Sequence, residues 1–246
     1  MELSDAGVAA GDRGGVTDVG PYGPYFQLGR RGPLWALAVL VVLAGGAAAV
    51  VMTLTGSSCP VERFGPGSGD GRSEARALLV HDPAALAVVD RCPDRTFRQV
   101  ADLIAPNPWT PVGLGSGGFT GTYDGDDHRI TGLRVFLPGS GDVGMFAVLD
   151  GSVRDLVLED VAVEGGGRAG AVAGRATAAA DVRGVTVTGA RVTGGPDTGG
   201  LVGLAHPDAA VAGGFRGSVM GDGTASDDGP TVGRIGTSLE PDAPTP

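Results

Sequence analysis

The sequence predicts an all-β chain: a short solenoid of stacked strand coils, with a capping helix in front of it and one transmembrane helix before that. Three observations carry this expectation. The segment Val153-Arg154-Asp155-Leu156-Val157-Leu158-Glu159-Asp160-Val161-Ala162-Val163-Glu164-Gly165 returns 29 residues later as Val182-Arg183-Gly184-Val185-Thr186-Val187-Thr188-Gly189-Ala190-Arg191-Val192-Thr193-Gly194. Repetition at a fixed period of about 20–50 residues marks a solenoid. Glycine-led apolar triplets follow each copy, at Gly170-Ala171-Val172-Ala173-Gly174 and Gly200-Leu201-Val202-Gly203, and a looser copy starts at Ile130. With 46 Gly and only 5% aromatic residues among 246, a thin repeated core of Val, Leu and Ala fits better than a bulky one.

The formal net charge is −10, and beyond residue 60 there are 24 acidic residues against 15 Arg. That balance disfavours nonspecific nucleic-acid binding, which needs clustered positive charge, so no nucleic-acid partner is expected. All 18 basic residues are Arg, a usage that suits an actinobacterial, GC-rich coding sequence.

Taken in order, residues 1–32 are rich in Gly, Asp and Pro without apolar period and are expected as a disordered cytoplasmic tail. Residues 33–55 are the expected transmembrane helix: Leu34 to Thr55 is 22 residues without a charge, and a span needs about 20. Arg30 and Arg31 precede it and Glu62 is the first charge after it, which places the N-terminus inside and the rest outside, a single-pass signal-anchor. A cleaved signal peptide and a lipoprotein acylated at Cys59 are the rival readings. Residues 56–73 are expected as an extracellular linker. Cys59 and Cys92 both fall on the outer side, where a disulfide can form; two free thiols are the alternative. Ala75 to Val80 reads as a strand. Asp82-Pro83 then opens a helix through Val89, with Asp as N-cap and Pro in the first turn. Such a helix would cover the hydrophobic end of the first coil. The solenoid is expected over 74–223, in three or four coils, and residues 224–246 as a flexible tail. At the open end, either Thr231-Val232-Gly233-Arg234-Ile235 folds back across the last coil or another molecule covers it.

The most specific stretch is Trp109-Thr110-Pro111-Val112-Gly113 followed by Phe119-Thr120-Gly121-Thr122-Tyr123-Asp124-Gly125-Asp126-Asp127-His128-Arg129-Ile130-Thr131-Gly132-Leu133. It resembles the opening of GLUG-motif β-helix proteins, and Gly199-Gly200-Leu201-Val202-Gly203 resembles the glycine triplet that closes their coils. The resemblance covers about residues 75–223. It implies a right-handed parallel β-helix on a bacterial cell surface, as in adhesin-like chains and the N-terminal region of some immunoglobulin A-cleaving metallopeptidases.

No HExxH is present, so peptidase activity is not implied. His81, His128 and His206 lack metal-ligand spacing, and no CxxC or Cys/His cluster suggests zinc. Asp124-Gly125-Asp126-Asp127 offers alternating carboxylates to calcium, although it also reads as a turn. A catalytic alternative is polysaccharide cleavage. Asp155, Glu159, Asp160 and Asp181 could supply a carboxylate pair across coils, with Arg154 or Arg183 beside them; the plainer reading is a solvated ladder of ion pairs. The expectation is therefore a chain without catalytic, metal or cofactor residues, located at the cell membrane. Its expected partners are the bilayer and envelope or host glycans or surface proteins.

Overall fold

The computed structural model describes residues 37–44, 47–54, 59–221, 224–227 and 231–235. The chain divides into two units, Met1–Gly56 and Ser57–Pro246. In the first, β1 (Leu37–Ala44) and β2 (Ala47–Leu54) pair antiparallel, with Leu37 opposite Leu54 and Ala44 opposite Ala47. The transmembrane helix expected over 33–55 is thus replaced by a two-stranded ribbon. No helix among the described residues is long and apolar enough to cross a membrane. The reason is present in the same letters. Val39, Val41, Val42, Val50 and Val51 are β-branched and favour pleated backbone, and Gly45-Gly46 between two equal runs is a hairpin signal. The tail expected over 1–32 lies outside the described residues.

The second unit is a parallel β-solenoid of about five turns. Its entry is β3 (Leu78–Val80), followed by α1 (Pro83–Leu86). Asp82 caps α1 by accepting the Ala85 N–H at 2.7 Å. Instead of running through Val89, the helix stops after four residues and gives way to a 3-10 turn at Val89–Arg91. The capping helix is therefore a single turn. The chain has to return from Val80 to Thr96 to lay the next strand beside the first, Leu78 against Phe97.

The first turn holds β4 (Thr96–Gln99) and β5 (Leu103–Ile104) and closes through isolated bridges at Val112 and Phe119. The second is β6 (Thr122–Asp124), β7 (Arg129–Thr131), β8 (Arg134–Leu137), β9 (Asp142–Val143) and β10 (Phe146–Leu149). The third repeats it as β11 (Ser152–Arg154), β12 (Val157–Glu159), β13 (Ala162–Gly165), β14 (Arg168–Ala169) and β15 (Ala173–Ala176). The fourth is β16 (Asp181–Gly194), β17 (Asp197–Thr198) and β18 (Val202–Ala205). The fifth is β19 (Ala210–Gly221), β20 (Thr224–Asp227) and β21 (Val232–Ile235). Five turns exceed the three or four expected, because the first turn carries little alternation and β21 lies in what was expected to be tail.

Each turn stacks on the next in register, apart from two one-residue shifts between β16 and β19, at Val182/Val185 and Thr188/Ala190. Leu78, Phe97, Tyr123, Val153, Val182 and Val211 form one inward column. Leu103, Ile130, Leu158, Val187 and Phe215 form another, and Val135, Val163, Val192 and Val219 a third. Strand alternation explains this: with a side-chain period of two, every second residue points inward. The core changes along the axis. Phe64, Phe97, Phe119, Tyr123 and Phe146 form a chain of ring contacts at the N-terminal end, with centroids 4.8–6.4 Å apart. Farther along, the equivalent positions hold Val and Ala. Phe64 is fully buried in this core, so part of the stretch expected as linker packs on the solenoid. At the far end Val232–Ile235 adds as a parallel strand beside β18 and does not fold back across the coil. Thr224–Asp227 does return, antiparallel to the end of β19.

Candidate functional site

The corners decide which side chains can act. A coil must turn sharply between flat runs, and such corners require left-handed backbone. Gly132 (φ 79°), Asp160 (φ 52°) and Gly189 (φ 62°) occupy one corner in successive turns, and Asp155 (φ 49°) and Gly184 (φ 62°) another. Asp is tolerated there because its short polar side chain can satisfy local groups. The Asp155 N–H donates to the Arg183 carbonyl at 3.1 Å and that of Asp160 to Thr188 at 3.0 Å. A Cβ on Gly184 would collide with the Asp155 carboxylate. These two acids, offered by the sequence for catalysis, sit at bends of the backbone.

The remaining outward charges are tied into ladders between turns. Arg129 holds Glu159 through Nη1 at 3.0 and 3.1 Å and reaches Asp102 at 3.2 Å. Arg134 binds Asp160 at 2.5 Å. Arg183 pairs with Asp181 in its own strand. Arg154 bridges Asp124 at 2.9 Å and Glu74 at 2.8 Å, fastening the entry segment to the second and third turns. Partial burial pulls the Arg154 guanidinium down, but its bonds to Asp124 and Glu74 prevail and hold it above its ordinary value. Arg168 and Arg175 both meet Asp142, at 2.5 and 3.4 Å, and Arg234 meets Asp197 at 2.9 Å. The sequence shows the periodicity of these charges but not their partners.

Of the three histidines, His128 faces Asp102 across 3.3 Å. The Arg129 backbone N–H, donating to Asp102 at 3.0 Å, and then His128 hold that carboxyl below the usual range. His81 lies 3.2 Å from Asp82, and His206 accepts the Asp208 N–H at 3.2 Å. The Asp124 carboxylate, considered for calcium, faces Arg154 and accepts the Asp126 N–H at 3.0 Å, which is turn geometry. Among the described residues no three His, Cys, Asp or Glu side chains gather closely enough for a metal ion. Cys59 and Cys92 are joined by a disulfide, Cα–Cα 4.9 Å.

The Trp109 motif is structural. Trp109 is buried and donates its indole N–H to the Met145 carbonyl at 2.9 Å. Gly113, at φ 81°, donates to Asp90 at 2.7 Å, which ties the motif to the entry segment.

Two of the surface depressions among the described residues lie along the stacked turns. One, of about 430 Å³, runs along the glycine corners Gly139, Gly141, Gly166 and Gly167 with Arg168 and Asp197. The other, of about 210 Å³, lies on the outer face of β8, β13 and β16. Arg134, Phe136, Ala162, Glu164, Arg191 and Thr193 line it. Sequence reasoning missed it, because Phe136 and Glu164 belong to different turns and become neighbours only through the register of β8 with β13.

Fold and surface together define a parallel β-solenoid with an aromatic entry end and ion-paired outer faces. No family model matches the chain. Halomucin of Haloquadratum walsbyi is 41% identical over 58 residues, which are 23% of this chain and 1% of that protein. The crystal structure of a "putative immunoglobulin A1 protease" from Bacteroides ovatus aligns at a TM-score of 0.43 and 18% identity, over 70% of this chain and 65% of that one. The chain thus spans a hundredth of the first relative's length and under two thirds of the second's. At this overlap neither protein's activity transfers to it.

Proposed function

We propose that this chain is a non-enzymatic, membrane-anchored extracytoplasmic β-helix of the right-handed GLUG kind, serving in surface display, adhesion or envelope scaffolding. The observation that carries the reading is the state of the four acids that the sequence offers for catalysis. Asp155 and Asp160 form corners, while Glu159, Asp160 and Asp181 are each engaged by an arginine. What such stacked turns present outward is flat, hydrogen-bonding surface, the kind that recognises extended partners.

The anchor rests on the 22 uncharged residues after Arg30-Arg31. In hydrocarbon the β1–β2 ribbon would leave two strand edges unpaired, and a helix would satisfy every backbone group. The Cys59–Cys92 bond supports an oxidising, outer compartment. Fold alone would not carry a function.

The test incubates the full chain with isolated envelope and host polysaccharides and follows retention and new reducing ends in one tube. Retention without cleavage is expected. New reducing ends that disappear in Glu159→Gln or Asp181→Asn would replace this reading with a polysaccharide hydrolase or lyase. For the anchor, the protein is expected to float with vesicles in a density gradient and to resist carbonate extraction; recovery in the soluble fraction would remove the anchor from the reading.

A further inference from the structure

The outer face formed by β8, β13 and the end of β16 carries the depression of about 210 Å³ described above. We propose that it is a subsite for one ring of a neutral glycan, with Phe136 as the stacking platform and Glu164 and Arg191 as hydroxyl ligands. The proposal rests on the adhesion reading and gives it a location and a ligand class.

Phe136 points away from the core because its neighbour Val135 points in. It is 66% exposed, whereas Phe64, Phe97, Phe119, Tyr123 and Phe146 are fully buried. One exposed aromatic is unremarkable alone; its surroundings make the case. Glu164 lies directly across from Phe136 on the next strand, and Thr193 beyond Glu164. On the parallel column two residues back, Arg134, Ala162 and Arg191 follow one another. Arg134 is pinned by Asp160 and by the Leu133 carbonyl at 3.2 Å, so it forms a fixed wall. Ala162, small and set between two arginines, gives the floor its depth.

Glu164 and Arg191 differ from the ladder charges. Neither side chain has a hydrogen-bond or ion-pair partner among the described residues, while Arg129, Arg134, Arg154, Arg168 and Arg183 all do. A free acceptor and a free bifurcated donor flank an apolar ring face. This is the complement of a sugar, whose C–H face meets the electron-rich ring and whose hydroxyls accept and donate at its rim. One free positive charge against one free negative charge leaves the groove neutral, and the chain as a whole carries −10. Both facts select a neutral glycan over a polyanion. The volume is below the roughly 300–1,000 Å³ of enclosing small-molecule pockets, so a single ring seats while its chain continues over the surface.

The test is affinity electrophoresis of the full chain, kept in detergent, in gels containing dextran, mannan, galactan or alginate. Retardation is expected in at least one neutral gel and not in alginate. Phe136→Ala should weaken it about tenfold, and Glu164→Gln and Arg191→Gln should each weaken it as well. All three positions are solvent-facing, and an unchanged thermal unfolding midpoint would confirm an intact fold. If Phe136→Ala alone lowers that midpoint, the two polar variants decide. Retardation that no variant alters overturns this site and leaves the adhesion reading standing. Retardation by alginate alone overturns the neutral ligand. No retardation in any gel overturns the site and glycan adhesion together, and points the search to protein partners.

Discussion

Tyr123 shows how one residue sets the chemistry of the entry end. Its ring lies between Phe97 and Phe146, and its hydroxyl donates to Gln99 Oε1 at 3.0 Å. Gln99, itself fully buried, donates to the Ala101 carbonyl at 2.8 Å and the Arg129 carbonyl at 2.9 Å, so the pair is satisfied inside the core. Burial pushes the phenol well above its ordinary value. A raised folded value means that the native state keeps its proton where the unfolded chain has lost it. The stabilisation is therefore fully present below about pH 10 and is lost as pH rises from there through the folded value. Tyr123→Phe leaves Gln99 Oε1 without its donor, and should cost about 1–3 kcal/mol at neutral pH while removing much of the alkaline decline. Urea unfolding at pH 8 and pH 11 measures both effects; an alkaline decline of unchanged size in the variant would assign it to other groups.

Among elements, the entry segment and the β1–β2 ribbon teach opposite lessons. The disulfide spans a sequence separation of 33 residues and encloses β3, α1 and the buried Phe64. In the loop-entropy account, closing a loop of that size stabilises by about 3–4 kcal/mol. The Cys59→Ser, Cys92→Ser double variant should lose that amount in denaturant titration, with Trp109 fluorescence as a local reporter. Loss confined to the fluorescence signal, with global stability unchanged, would show that the entry segment opens independently. The stacked turns were legible in the sequence because Val153 and Val182, Leu158 and Val187, Val163 and Val192 recur at the interval that puts them in contact. The first turn was less legible: Phe97 and Phe119 enter the core from segments with no copy elsewhere in the chain. Over residues 34–55 the sequence leaves two readings open, because length and lack of charge do not separate a spanning helix from a valine-rich hairpin. Of the candidate surface, the sequence offered the arginines and acids but not which of them would be left unpaired. That depends on partners about 30 residues away.

At the scale of the molecule, each turn contacts only its neighbours, so stability adds along the axis. The entry end has fused aromatic contacts and a covalent tie. The far end has Val211, a half-buried Phe215 and the single return of β20. Amide exchange should therefore be slowest in β6, β7, β11 and β12 and fastest in β19, beyond the residues that pair with β20. Uniform protection across all turns would indicate one cooperative unit instead. The 29-residue interval shared by the first positions of β11, β16 and β19 has a further consequence. Ser152 to Asp181 and Asp181 to Ala210 are each 29 residues, and the residues so spaced lie in adjacent strands. A duplication or deletion of one such unit would lengthen or shorten the stack by about 4.8 Å and keep its inward valine columns, while a deletion would also remove the Arg129–Glu159 and Arg134–Asp160 pairs. The length of the stack can thus be adjusted in fixed steps, as on a ruler, without redesigning the core.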